Sequence, residues 1–465
     1  MPYIEWRGRS CRVRWDTGRV DPKTGNKIYE SKSSTKWTED DAYNYGLDHE
    51  SDIRNDRYIS RRDGSVLMKD YCRTWPDTLD VGHLRDKAIR SMIRLYIVPR
   101  WGEVAVGDIK PSAYRAWKKQ LKALPNVGEK YGEEILTVFS MLMDDAVDDE
   151  LRTSSPVPKG KQRRRGKYKK KPRERKREMR IEDVHKLALN AATFWGLSGY
   201  VFMWTMATTG MRPAEMYALR REFCHPHWPA SDPDPDRREE AMERYAGADP
   251  MPALRVQWQH QREEGQLKLF PPKYESDRNL VIPPFLAELL EMLLAGRDGD
   301  EWVFRSLSGS LLANANFSYY YWRPIADGRE ASAEFERTRL GQRQTVTSRR
   351  PLPTMPATPY AGKRLYLLRH GHKEWIDEAG GVHSRIAVES RMGHEVAGVE
   401  GLYANVTTTM ERRIMDSLQV RWLRFAAASK ERLWESSPTP LPLDLVDWMK
   451  QQVKAGKSLD PEPGS

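Results

Sequence analysis

The sequence has few cysteines and no long apolar run. Its 465 residues include three cysteines, Cys11, Cys72 and Cys224, which lie far apart and form no CxxC pair. A disulfide framework and a four-cysteine zinc site are therefore excluded. No stretch approaches the roughly 20 apolar residues that span a bilayer, and the beginning, MPYIEWRGRSCRVRW, lacks the apolar core of a signal peptide. We expect a protein of the reducing cytosol that has no membrane partner.

The apolar residues present are sufficient for folded domains. Hydrophobic residues make up 39% of the chain and aromatic residues 10%, which excludes a wholly disordered protein. The length predicts about three domains at roughly 150 residues each. Net charge is +11, and its distribution along the chain is uneven.

One segment carries the whole positive excess. Residues 159–180 contain 14 lysines and arginines against two acids, a net +12. The composition predicts an extended linker between two folded regions. A solvated surface is one interpretation. The internal position favours the other, in which the segment follows a phosphate backbone. The candidate DNA-binding residues are Arg163, Arg164, Arg165, Lys167, Lys169, Lys170 and Lys171.

Before the linker, the pattern predicts a small α+β domain at 1–60 and an all-α domain at 64–158. Residues 3–15 alternate as a strand does, with Arg12 and Arg14 on the face opposite Cys11, Val13 and Trp15. DPKTGNK predicts a hairpin turn, and Thr38 followed by Asp41 predicts a helix start. Arg12 and Arg14 are candidate DNA contacts, although an ordinary hairpin subdomain would show the same pattern. From 64 to 158 the apolar spacing is helical.

After the linker, the pattern predicts a mixed, mainly α domain at 181–420 and a tail at 421–465. Helices are expected over 181–197, 200–219, 286–295, 363–377, 384–393 and 410–428, and short strands over 254–283. We interpret 225–252 and 329–362 as surface insertions. For the tail, packing on a neighbouring protomer and packing on its own domain are both open.

Five residues of the second half stand out, four cations and one tyrosine that follows them. They are Arg212 in TGMRPAE, Lys273 in PPKYESDR, Arg369 in LLRH, His394 in MGHE and Tyr403 in LYANV. Each alone would be an ordinary surface or packing residue. Glu215, three residues after Arg212, can hold that guanidinium by a charge-assisted bond.

These motifs, in this order, resemble those of the tyrosine recombinase family, the phage-type integrases. The resemblance extends upstream and covers nearly the whole chain. It implies a multidomain protein with an arm-type DNA-binding domain at 1–60, a helical core-binding domain at 64–158, a basic linker at 159–180 and a catalytic domain at 181–420. One position departs from the pattern: the family has a histidine three residues before the second arginine, and this chain has Tyr366. A tyrosine there can donate a hydrogen bond but carries no positive charge.

The resemblance implies a chemistry. Tyr403 would attack the scissile phosphate and form a 3′-phosphotyrosyl intermediate, Arg212 and Arg369 would stabilise the phosphate, His394 would donate a hydrogen bond, and Lys273 would protonate the leaving oxygen. No metal and no ATP would be needed. The implied partners are double-stranded DNA with core-type and arm-type attachment sites, three further protomers in a homotetramer, a directionality factor and a host DNA-bending protein. The implied location is the nucleoid in the bacterial cytoplasm, and the implied task is integration of a phage or mobile element and its excision.

Four alternatives stay open at this stage. A type IB topoisomerase would use the same chemistry without a specific site, and a DNA-binding regulator would keep the fold without activity. A three-carboxylate transposase would need acid triplets that hold two divalent ions, and the sequence shows no clear metal-binding set. The cluster Cys224, His225 and His227 in CHPH lacks the spaced partner pair of a zinc site.

Overall fold

The computed structural model describes most of the chain. The described residues are 1–55, 58–60, 64–158, 178–244, 247, 249–295, 297, 299–339, 342–352, 354–377, 383–394, 406–428 and 445–457. The chain divides into two compact units, Met1–Pro172 and Arg173–Ser465. Within the described part, no helix is both long and apolar enough to cross a membrane.

The first unit begins with an antiparallel sheet covered by one helix. The elements are β1 (Tyr3–Arg7), β2 (Ser10–Val20), β3 (Lys27–Ser34) and α1 (Glu39–Arg54), and the strand order is β1-β2-β3. Cys11, Val13 and Trp15 are buried against α1, as the alternation predicted. The Thr38 side chain accepts the Asp41 N–H, and the Asp41 carboxylate accepts the Thr38 N–H, so the predicted capping box is confirmed.

The rest of this unit is helical around its own core. Its helices are α2 (Met68–Thr74), α3 (His83–Met92, continuing through a π-helical turn at Ile93–Ile97 to Val98–Trp101), α4 (Pro111–Lys122) and α5 (Glu129–Asp148). Pro111 stands in the first turn of α4, where its missing N–H leaves no bond unmade. The i, i+3 and i+4 apolar residues of α5, among them Ile135, Phe139 and Leu142, are buried in this core.

The second unit combines many helices with short strands. Its helices are α6 (Ile181–Trp195), α7 (Leu197–Thr209), α8 (Pro213–Tyr217), α9 (Pro235–Arg244), α10 (Pro284–Leu294), α11 (Asn314–Phe317, continuing through Ser318–Trp322 to Arg323–Asp327), α12 (Leu367–Asp377), α13 (Arg385–Met392), α14 (Thr408–Ala428) and α15 (Leu445–Lys457). Its strands are β4 (Cys224–Trp228), β5 (Met251–Val256), β6 (Gln259–Glu263), β7 (Gln266–Phe270), β8 (Arg278–Val281), β9 (Ser332–Arg339) and β10 (Gln342–Leu352). The sheets are β4-β5-β8 and the hairpins β6-β7 and β9-β10, all antiparallel.

The structure corrects the sequence interpretation at three places in this unit. The helix expected over 200–219 ends at Thr209, because Gly210 adopts a left-handed φ of 65° that stops the helix. The segment 225–252 is not a surface insertion throughout: β4 pairs with β5, and Trp228 is buried. The segment 329–362 is not a surface insertion throughout either: it contains the hairpin β9-β10, but Met355 and Tyr360 after the hairpin are buried.

The tail packs on its own unit. Helix α14 runs through the predicted boundary at 421 without a break. Trp422, Phe425 and Trp448 all belong to the main core of this unit, and the Trp422 and Trp448 ring centroids are 5.3 Å apart. Within this chain the described tail residues pack on the same unit, and packing on a neighbouring protomer stays a prediction.

Candidate active site

The site forms where two helices end close together. Helix α7 ends at Gly210 and α13 ends at Gly393, and both glycines are left-handed, with φ of 65° and 62°. The last carbonyls of any helix have no partner within it and need donors from elsewhere. Here arginine and histidine side chains supply those donors, so the two helix ends gather positive charge.

Three arginines bind successive carbonyls at the end of α13. Arg278 Nε donates to the Arg391 carbonyl at 2.9 Å, Arg369 Nη2 donates to the Met392 carbonyl, and Arg212 Nη2 donates to the Gly393 carbonyl at 3.1 Å. Cations at a helix C-terminus also face the negative end of its dipole. This arrangement brings together Arg212 and Arg369, which are 157 positions apart in sequence but bond to neighbouring residues here.

Arg212 is oriented by Glu215, as the sequence predicted. Arg212 is the N-cap of α8, and its Nη1 donates to Glu215 Oε1 at 2.8 Å while its backbone N–H donates to Glu215 Oε2 at 2.8 Å. Among the described residues, Nη1 also reaches Ser276 Oγ at 3.3 Å. Three of the five guanidinium N–H groups thus have acceptors among the described residues, which leaves two for a ligand.

Glu215 is shared between two arginines. It is 1% exposed, and Arg278 Nη2 lies 3.0 Å from its Oε2. Burial raises the pKa of Glu215, but the charges of Arg278 and Arg212 and their hydrogen bonds outweigh burial, so the net pKa lies below the ordinary value. In the described part of the chain a single ionised carboxylate therefore faces Arg212 and Arg278, which leaves a positive excess there.

Arg369 is the most deeply buried cation among the predicted site residues. It lies on α12, is 1% exposed, and donates to the Gly210 carbonyl as well as to Met392. Its Nη2 also lies 3.2 Å from His394 Nε2. Burial, followed by the charge of Arg212, lowers the pKa of Arg369 to about 10, so the guanidinium stays charged at neutral pH. A buried excess of positive charge is costly unless an anion binds.

His394 is held from behind by a carboxylate. Its Nδ1 is 2.7 Å from Glu389 Oε2, and Lys373 Nζ bonds the other oxygen of Glu389. A carboxylate at Nδ1 fixes the ring, and Nε2 points toward Arg369. The imidazole is 41% exposed, so it is accessible to a ligand that reaches Arg369.

Lys273 stands on the turn between β7 and β8, on a short 3₁₀ segment at Lys273–Glu275. Its side chain is exposed, with Nζ 4.7 Å from the ring centroid of Tyr274. The turn, rather than the amine, is attached to the site, because Ser276 Oγ donates to the Lys273 carbonyl at 2.9 Å and also accepts from Arg212.

Tyr366 lies just before α12 and is 39% exposed. Its ring packs edge-on against His370, with centroids 5.2 Å apart. His372 is fully buried instead: its Nδ1 is 2.9 Å from the Ala207 carbonyl and its Nε2 accepts from Arg391 Nε at 3.1 Å. Burial, followed by the charge of Arg391, holds the pKa of His372 well below its ordinary value, so this histidine is a neutral support of the helix ends.

Several predicted residues lie outside the described part of the chain. They are Tyr403 and the linker residues Arg163, Arg164, Arg165, Lys167, Lys169, Lys170 and Lys171. The two residues of the N-terminal sheet are described. Arg12 donates to Ser31 Oγ at 2.7 and 3.1 Å, and the Arg14 guanidinium lies 4.5 Å from the Tyr29 ring centroid. Both side chains are therefore held on the face away from α1.

The alternative zinc site is not formed by CHPH. His225 is buried with Nε2 3.9 Å from Asp232 Oδ2, and Asp232 pairs with Arg237. Over the residues that the structure describes, no group of three or more histidines, cysteines, aspartates or glutamates is placed to hold a metal ion.

Sequence reasoning missed four residues that build the site. Arg278 and Ser276 lie in PPKYESDR beside Lys273, and Glu389 and Arg391 precede His394. Arg391 is buried and donates to the Val281 and Thr208 carbonyls at 2.8 and 2.9 Å. Arg278 in ESDRN and Arg391 in ESRMG are flanked by polar and charged residues, so neither gave a signal of burial in the sequence. Ser276 and Glu389 gave no signal either.

The arrangement is suited to a phosphate group. Among the described residues, Arg212, Arg369 and His394 surround one helix end with unused donors and a positive excess. Planar guanidinium forks match phosphate oxygens and stay charged at all physiological pH values. Exposed Lys273 and Tyr366 lie on segments attached to the same cluster.

No family model and no curated protein matches the chain. Among solved structures, it is similar to the Tn1549 transposon integrase in complex with a circular intermediate DNA, with 13% identity, 74% of this chain and 97% of that chain covered, and a TM-score of 0.48. It is similar to a lambda integrase dimer bound to a COC′ core site, with 12% identity, 90% and 95% covered, and a TM-score of 0.43. It is also similar to XerA recombinase, with 12% identity, 75% of this chain and 96% of that chain covered, and a TM-score of 0.27. Residue roles rest on the contacts within this chain.

Proposed function

We propose that the chain is a tyrosine recombinase, a site-specific integrase that cleaves and rejoins DNA. The observation that carries the proposal is the meeting of Arg212, Arg369 and His394 at the end of α13. Their motifs occur in the order in which the sequence resembles that family, and the last motif ends in Tyr403. A buried cationic cluster followed by a tyrosine is what transfer of a phosphate to a phenol requires.

The mechanism uses side chains alone. Tyr403 attacks the scissile phosphorus and forms the 3′-phosphotyrosyl bond, and the 5′ oxygen leaves. Arg212 and Arg369 stabilise the charge on the nonbridging oxygens, because their guanidiniums are already oriented by Glu215 and by the helix carbonyls. His394, whose Nδ1–H is held by Glu389, donates a further hydrogen bond through Nε2 in its imidazolium form. Lys273 protonates the leaving oxygen. The phosphotyrosyl bond retains the energy for resealing, so we propose that neither ATP nor a metal takes part.

Tyr366 takes the position of the family's histidine in this proposal. Its hydroxyl donates a hydrogen bond to the phosphate, while the positive charge comes from the arginines. The same departure favours a second candidate, a DNA-binding regulator that retains the fold and has no activity. A covalent adduct with DNA distinguishes the two.

The remaining parts bind DNA in this proposal. The sheet face with Arg12 and Arg14 binds arm-type sites, the helices of 64–158 bind core-type sites, and the basic linker follows the phosphate backbone. Four protomers act on two DNA sites, with a directionality factor and a host DNA-bending protein as partners. The reaction integrates a phage or mobile element into a bacterial chromosome and reverses that integration, at the nucleoid.

The test is to trap the intermediate. The full-length protein is incubated in EDTA with sheared DNA of its source genome and, separately, with supercoiled plasmid, and the reactions are stopped with detergent. We expect a covalent protein–DNA adduct that maps to a few genomic sequences, and no adduct from Tyr403→Phe. Adducts spread over any DNA would instead indicate a type IB topoisomerase, and a wild-type protein that binds DNA without forming adducts would indicate the regulator.

A further inference from the structure

The turn that carries Lys273 is held by its backbone and not by the lysine. Residues 271–277 connect β7 to β8, and the Lys273 side chain is exposed over the Tyr274 ring. A lysine stem has four rotatable carbons and a compact charge. The position of the turn therefore limits how far the ammonium lies from any group that it protonates.

Ser276 connects this turn to the arginine cluster. Its hydroxyl donates to the Lys273 carbonyl at 2.9 Å and accepts from Arg212 Nη1 at 3.3 Å. One oxygen atom thus links the backbone of the lysine to the guanidinium of the arginine. Arg212 itself is fixed by Glu215, so the link connects the turn to a rigid part of the site.

Further contacts hold this turn in place. Arg278 Nη1 donates to the Ser276 carbonyl at 2.9 Å. At Gly393 an added Cβ would lie 2.8 Å from Ser276 Oγ, so the glycine allows the turn to approach the end of α13. On the other side of the turn, Arg255 Nη2 pairs with Asp277 Oδ2 at 2.7 Å.

We infer that Ser276 is a positioning residue for the proton transfer from Lys273: its hydroxyl sets the Lys273 turn at a fixed place relative to the phosphate that Arg212 binds. The inference rests on the proposed function. In the cleavage step the bond from the Tyr403 oxygen to phosphorus forms and the bond from phosphorus to the 5′ oxygen breaks. The 5′ oxygen takes a proton from the Lys273 ammonium, and the phenolic proton passes to solvent.

A sulfur atom at the bridging 5′ position isolates this step. A thiol has a pKa near 8.5, so a 5′ sulfur leaves as a thiolate without needing a proton. An alkoxide is far more basic and needs the general acid. A defect confined to proton transfer is therefore removed by the sulfur substrate, whereas a defect in phosphate binding or folding remains.

The experiment uses the full-length protein and a synthetic duplex of the sequence to which the wild type becomes linked, made with either oxygen or sulfur at the scissile 5′ position. The rate of adduct formation is measured for each. For Ser276→Ala we expect a loss of about 10- to 100-fold on the oxygen duplex, because small misplacements of a reacting group cost that much. On the sulfur duplex we expect Ser276→Ala to form the adduct at a rate within about threefold of the wild-type rate, because the sulfur leaves without a general acid. Ser276→Thr keeps the hydroxyl and should keep both rates.

Two controls fix the interpretation. Lys273→Ala should show a larger loss on oxygen and the same rescue by sulfur. Ser308→Ala removes a hydroxyl from an exposed loop, where it bonds Ser306 and Ser310, and should change neither rate. Equal losses of Ser276→Ala on both duplexes, no loss on either, or failure of sulfur to rescue Lys273→Ala would each overturn the inference while leaving the adduct itself, and with it the proposed function, in place.

Discussion

Glu215 is the residue on which the charge balance of the site depends. It is fully buried and pairs with Arg212 and Arg278 at once. Removing one partner of a buried pair costs about 3–5 kcal/mol, because the other charge is left without compensation. We expect Glu215→Gln to lower the free energy of unfolding by roughly that amount, measured by urea denaturation at neutral pH.

This effect should depend on pH in one direction. The pKa of Glu215 is lower in the folded protein than its ordinary value of 4.5. Its stabilising contribution is therefore fully present above that value and is lost as the pH falls through the folded pKa. The difference between wild type and Glu215→Gln should shrink below about pH 4.5. Glu222→Gln, whose partner Arg220 lies near the surface, is the matched control, with an expected change of about 0–1 kcal/mol. A gap between wild type and Glu215→Gln that stays constant with pH would contradict this account.

Among the elements, α14 and α15 carry the contacts by which the tail packs. Trp448 of α15 lies against Trp422 of α14 in the core of the same unit. Truncating a buried tryptophan costs about 3–5 kcal/mol. We expect Trp448→Ala to lower the stability of the protein without DNA by about that amount, while Gln451→Ala, which is exposed on the same helix, changes little.

Sedimentation with DNA separates this packing from an exchange between protomers. If α15 packs on its own unit, Trp448→Ala forms a DNA-bound assembly of the same size as wild type at temperatures where the variant is folded. Unchanged thermal unfolding together with a smaller assembly would mean that the helix packs on a neighbouring protomer.

At the scale of the whole molecule, charge is concentrated where the two folded regions join. Residues 159–180 carry a net charge of +12, and the whole chain carries +11, so the rest of the chain is close to neutral. Each phosphate contact adds about 0.9 to the slope of log affinity against log salt. Replacing Arg163, Arg164, Arg165, Lys167, Lys169, Lys170 and Lys171 by glutamine should flatten that slope by several units, measured by fluorescence anisotropy with duplex DNA.

The control for this variant changes charges on the N-terminal sheet instead. Replacing Arg12 and Arg14 by glutamine removes two charges and should flatten the slope by at most about two. An unchanged slope in the linker variant would remove the linker from the DNA interface.

The sequence by itself determined the elements that depend on local chemistry. The alternation of Cys11, Val13 and Trp15 gave the buried face of β2, and Thr38 with Asp41 gave the start of α1. Arg212 and Glu215 lie three residues apart at a helix start, so their bond also followed from spacing. These interactions join residues close in the chain, and neighbours in sequence are enough to specify them.

Only the tertiary structure decided which distant groups meet. The carbonyls at the end of α13 collect Arg212, Arg278 and Arg369 from three separate elements. Ser276 links the lysine turn to Arg212. Trp228 of β4, inside a segment rich in proline and acids, packs in a small buried cluster with Met251 and Val281. The physical reason is that a helix end leaves carbonyls to be satisfied, and a core leaves volume to be filled. The sequence does not specify which remote residue donates to those carbonyls or fills that volume.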